Sequence, residues 1–168
     1  MALAGPLALI LAACGGTPGS STGPTAGTSA GPSAAPSGSA LSEEVVTIGT
    51  AFAQMRGHHI AARELFAAGE TDGALTHATR PVAEILDSVR GDVDENSGDS
   101  AALAAALQAV VTAAQGDSDA ALTTAIDASS LAIDAAEQAV AGDFIDDPAY
   151  IGSVIAATLD TASGEYAE

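Results

Sequence analysis

The chain has 168 residues, and its 22 acidic side chains against 4 arginines and no lysine give a formal charge of −18. A balance this acidic argues against nucleic acid as a ligand, because that binding rests on Lys and Arg neutralising phosphates, and it opposes adhesion to anionic lipid headgroups. Cys14 is the single cysteine, so the chain has no internal disulfide.

From Leu3 to Ala13 the chain is apolar and uncharged. The run is shorter than the roughly 20 residues that cross a bilayer but suits the apolar region of a secretory signal, although neither Met1 nor Ala2 supplies the usual positive charge. A true start further upstream would account for that departure. The run closes on Leu11-Ala12-Ala13-Cys14, which resembles a lipobox, the signal at which a bacterial peptidase cuts before a lipid-modified cysteine. The resemblance implies a lipoprotein signal peptide over residues 1–13 and a lipid anchor, palmitate among its acyl chains, on Cys14. It also implies an extracytoplasmic place at the cell membrane or outer membrane, with the membrane as a partner held through that lipid. Two acyl chains hold far more firmly than one, since each buried CH₂ contributes roughly 0.8 kcal/mol.

Every residue from Gly15 to Ala40 is Gly, Pro, Ser, Thr or Ala. Such a segment has no apolar surface to offset the entropy of ordering, so residues 14–40 read as the anchor and a disordered linker. A flexible coil of that length spans on the order of 30 Å. All charge lies beyond it, in residues 41–168, which make one acidic domain. Self-repulsion at this charge destabilises the compact state unless salt screens it.

Ser42 followed by Glu43 and Glu44 predicts an N-cap with acids in the first turn. The first helix then carries Val45, Ile48, Phe52, Met55, His59, Ala62 and Phe66 at the three-four spacing of a bundle seam, and Gly69 stops it. Thr71 or Asp72 is expected to cap a second helix with the seam Leu75, Ala78, Val82, Ile85 and Val89, kinked at Pro81, before a polar loop from Gly91 to Asp99. A third helix from Ser100 to about Gln115 repeats the spacing through Leu103, Leu107, Val110 and Ala114. A fourth from Ser118 to Ala141 does so through Leu122, Ile126, Ser129, Ile133, Ala136 and Val140. Asp147-Pro148 predicts the start of a last helix, with its seam at Ile151, Ile155 and Leu159. The expected fold is all-α, an antiparallel bundle of four to five helices. Ala dominates its interior positions, so close packing must replace bulky side chains.

All three histidines and all four arginines fall between Arg56 and Arg90, in the first helical hairpin. His59 occupies the seam and His58 the flank of the first helix, while His77 and Glu84 lie two turns apart on one stripe of the second. Imidazole and carboxylate are transition-metal ligands, so His58, His59, His77 and Glu84 form a candidate metal set and a transition-metal ion a candidate cofactor. Against this, seam histidines are more often satisfied core residues than ligands, and no short zinc signature such as His-Glu-x-x-His occurs. Arg56, Arg63 and Arg80 are candidate interaction residues; their ordinary fate is pairing with Glu64, Glu84 or neighbouring acids.

The stretch from Ala62 to Leu75, with Ala78 and Pro81 beyond it, resembles one tetratricopeptide helix-turn-helix, in which small residues let paired helices approach closely. A single copy stands here, whereas stable arrays need about three, so the resemblance implies a hairpin for protein contact rather than a solenoid. Gly57-His58, Glu64-Leu65, Gly69, His77, Pro81 and Glu84 resemble the hairpin of bacterial helical lipoproteins of uncertain function. More loosely, the lipobox, the bundle and the Gly-x-His from Gly57 to His59 are similar to imelysin-like iron-uptake lipoproteins. That pattern has a glutamate where this chain has Ala62, so its metal site does not carry over.

Asp92-Val93-Asp94-Glu95-Asn96 opens like a calcium loop, but Ser97 and Leu103 stand where an EF-hand requires Gly and Glu. The segment reads as an acidic turn that caps the next helix. No Gly-x-Ser-x-Gly elbow or phosphate-cradling glycine loop is present, and an acylated Cys14 is no nucleophile. The sequence therefore points to a binding or accessory lipoprotein rather than an enzyme. Its first hairpin would bind a transition metal or, in the alternative, hold an envelope protein as a TPR-like module.

Overall fold

The computed structural model describes residues 41–165, and the lipobox, Cys14 and the linker lie outside them. Helix α1 runs Glu43–Ala67, α2 Thr71–Arg80, α3 Leu86–Glu95, α4 Ser100–Ala114, α5 Asp119–Ala141 and α6 Pro148–Glu165. A π turn, Pro81–Ile85, joins α2 and α3 into one rod, so the all-α bundle has five rods and no strand among the described residues. None of these helices is long and apolar enough to cross a membrane.

Local chemistry accounts for most boundaries. The Ser42 hydroxyl accepts from Val45 N at 3.3 Å, Ser118 from Ala121 N at 3.2 Å, and the Asp99 carboxylate from Ala102 N at 2.8 Å, each satisfying an orphan donor of a first turn. At the α1 terminus Gly69 has φ +83°, and Gly69 N and Glu70 N return to the carbonyls of Phe66 and Leu65 at 3.0 and 2.9 Å. That left-handed step favours glycine and turns the chain into α2.

Several elements differ from the sequence expectation. Helix α2 begins at Thr71 with Glu70 as N-cap and no side-chain cap, rather than with Thr71 or Asp72 capping it. Pro81 lacks an N–H and its ring crowds the preceding turn, and the strain is taken up by a π turn. The expected loop from Gly91 is helical as far as Glu95, because Val93 continues the buried stripe after Val89 and its burial stabilises one more turn. The largest departure is the rotation of α6. Its buried residues are Tyr150 and Val154, while Ile151, Ile155 and Leu159 are 44%, 54% and 63% exposed. Two adjacent stripes of this helix are apolar, and the inward one carries Tyr150, whose hydroxyl finds a partner on α5 and whose ring lies against Gly49 of α1. A Cβ at Gly49 would collide with the Tyr150 hydroxyl.

The core is divided along its length. One cluster joins Phe52 and Met55 of α1, Ile85, Leu86 and Val89 of the rod, Leu103 and Leu107 of α4, and Ile133 and Ala136 of α5. The second joins Ala62, Ala78, Val110, Ala114, Leu122 and Ile126, where alanines let the helices approach closely. Ascending α1 corresponds to descending α5 in these clusters, so the two helices run antiparallel. A third cluster, Ala141, Tyr150 and Val154, seats α6 on α1.

Candidate functional site

On a helix, successive residues point about 100° apart. His58 and His59 therefore leave α1 in different directions, and their fates diverge. His58 lies on the flank facing α2, and its Nδ1 stands 3.1 Å from Nδ1 of His77. The ring centroids are 5.3 Å apart and the planes tilted by 39°. At this separation one neutral ring donates its N–H and the other accepts. Close approach of α1 and α2 through Ala62, Ala74 and Ala78, all fully buried, makes the meeting possible.

The pair borders a cleft of about 270 Å³ walled by Ala53, Gly57 and Ala61 of α1 and by Thr158 and Ala162 of α6. Apart from Gln54 and the two histidines the lining residues are small, and a Cβ added at Gly57 would meet nothing within 4 Å. Among the described residues no carboxylate lines the cleft. With metal–nitrogen bonds of about 2.0–2.1 Å, two imidazole nitrogens on one ion sit about 2.9 Å apart at a right angle and about 3.3 Å apart at the tetrahedral angle. The 3.1 Å between His58 and His77 falls between these values.

His59 enters the core instead. It is 1% exposed, and neither ring nitrogen has a hydrogen-bond partner. Burial, reinforced by the neighbouring charge of His58, pushes its pKa down to about 4, so it is neutral in the fold. Glu84 is exposed on the π turn and faces Arg80, Oε1 to Nε at 3.9 Å. The four residues expected to share a metal are thus not one site: His58 and His77 come together, and His59 and Glu84 point elsewhere. Among the described residues no three His, Cys, Asp or Glu side chains are grouped to hold an ion.

The three candidate arginines also separate. Arg63 faces Glu64 at 3.7 Å and Arg80 faces Glu84, exposed pairs of the kind that contribute little. Arg56 turns towards α5 and donates to Asp134 Oδ1 at 2.7 Å and Glu137 Oε2 at 2.6 Å. Burial of its guanidinium opposes the charge, but Asp134 and Glu137 outweigh it and raise the pKa above the usual arginine value. Glu137 Oε1 accepts from the Tyr150 hydroxyl at 2.7 Å, and burial, helped by that bond, pushes the phenol pKa up. Sequence reasoning missed Asp134, Glu137 and Tyr150 as partners of the hairpin, because charge pairing between helices leaves no periodic trace.

The acidic turn before α4 works as a cap. Besides the Asp99 bond, Asp94 Oδ1 accepts from Ser100 N at 3.3 Å.

No protein-family model matches the chain, and neither a curated protein nor a solved structure matches it.

Proposed function

We propose that the chain is a lipid-anchored, extracytoplasmic binding protein whose first hairpin takes a transition-metal ion between His58 and His77. The observation that carries this reading is the 3.1 Å approach of two Nδ1 atoms at the edge of an open cleft. Imidazole suits zinc, copper and nickel, and the remaining coordination positions are filled from solvent or from a partner. The lipobox resemblance and the linker supply the location: a tethered domain samples the space beside the membrane. Its acidity keeps it soluble and away from anionic headgroups.

The test is the melting temperature of the full chain carrying Cys14→Ser, so that no thiol competes, with copper, zinc and nickel added in turn. A ligand at about 100 times its Kd stabilises the native state by about 2.7 kcal/mol, on the order of 10 °C for a domain of this size. The rise is expected for one metal and is lost in His58→Ala and in His77→Ala. An equal rise in the variants would assign binding to the acidic surface and end the proposal.

Protein contact is the second reading, and the exposed stripe of Ile151, Ile155 and Leu159 on α6 favours it. If it holds, Ile155→Asp abolishes cross-linking of the chain to an envelope protein in cells while the metal response persists.

A further inference from the structure

The first two apolar clusters stop at one level of the bundle. On α1 that level is His59, between Met55 of the first cluster and Ala62 of the second. On α5 it is Ser129, between Ile133 and Ile126. On the rod, buried Pro81 stands between Ala78 of the second cluster and Val82 packed on the first, and on α4 the change falls between Leu107 and Val110. The layer therefore holds two polar side chains at the junction of two apolar clusters. Ser129 is 0% exposed, and its Oγ, like both nitrogens of His59, has no hydrogen-bond partner.

Buried polar atoms in folded proteins are nearly all paired, with protein or with ordered water. No direct bond joins His59 to Ser129, although α1 packs on α5 and the register sets them level. We propose that His59 and Ser129 form an internal hydration site, in which one ordered water bridges Ser129 Oγ and a ring nitrogen of His59. The chemistry is complementary: a hydroxyl donates and accepts, a neutral imidazole does one at each nitrogen, and water offers two of each. A buried water needs two or more polar partners, and this layer provides them between two apolar clusters. The site is separate from the His58–His77 cleft and does not depend on metal binding.

Two measurements on the full chain test it. In a crystal structure that shows ordered water, a peak is expected within about 2.7–3.2 Å of both Ser129 Oγ and a His59 nitrogen. Ser129→Ala is expected to lower the melting temperature, because it strips the water of a partner and leaves the imidazole stranded. A dry layer, or a direct bond from Ser129 to His59, overturns the proposal. So does a melting temperature that stays the same or rises in Ser129→Ala, the result expected when an unpaired hydroxyl is removed.

Discussion

Arg56 and His58 stand two positions apart on α1 and serve opposite ends. Arg56 reaches α5, where Asp134 and Glu137 take its charge and Glu137 also takes the Tyr150 hydroxyl, so α1, α5 and α6 are tied at one point. His58 reaches α2, where it meets a second imidazole beside an open cleft. At the first junction each charge is answered by an opposite charge and Glu137 is only 13% exposed, which is the arrangement of a structural clasp. At the second, two like groups converge 3.1 Å apart beside the cleft, a spacing that suits a cation brought from outside.

The comparison breaks first if Glu137 is not structural. Glu137→Ala leaves the part-buried guanidinium with Asp134 alone and strands a buried phenol, and roughly 2–4 kcal/mol of stability should be lost in urea unfolding. The metal response of the remaining folded protein should persist.

Next in size is the effect of acid on His59. The folded state holds it neutral with a pKa of about 4, against an ordinary value of 6.5, so the unfolded chain binds the proton first. Stability from this residue is intact above pH 6.5 and falls as the pH drops towards 4, by up to roughly 3 kcal/mol. Protonation of the many surface carboxylates relieves repulsion over the lower part of the same range. The readout is therefore the difference between wild type and His59→Leu, which lacks the His59 slope. Parallel pH profiles for the two proteins would contradict the account.

Smaller still, Gly57→Ala should stabilise the chain by about 0.5–1 kcal/mol, because a helical glycine with open space around it gains only order from a methyl group. A destabilised variant would mean that the cleft is more closely filled than the distances show. Smallest of all, His77→Ala without metal should change stability by less than about 1 kcal/mol, since the partner imidazole keeps access to water through the cleft. A larger loss would make the histidine pair a structural element and remove its distinction from the Arg56 clasp.

Much of the fold is legible in the residues. Ser42, Asp99 and Ser118 mark helix starts because their side chains accept first-turn N–H groups, and the three-four spacing locates the buried stripes of α1, α4 and α5. Periodicity fails on α6, where two neighbouring stripes are apolar and the choice rests on Gly49 and Glu137, residues remote in the chain. Of the candidate site, the same spacing already distinguishes a seam histidine, His59, from a flanking one, His58, and two residues placed so differently do not share one ion. The meeting of His58 with His77 depends on how closely two alanine-lined helices approach, a distance that no pattern in the sequence encodes.

The most direct test of the central claim is copper titration of the full chain carrying Cys14→Ser, followed by electron paramagnetic resonance. One copper per chain with hyperfine splitting from two nitrogens is predicted, falling to one nitrogen in His77→Ala. A signal with oxygen ligands alone, or the same nitrogen splitting in the variant, would contradict a site built by His58 and His77.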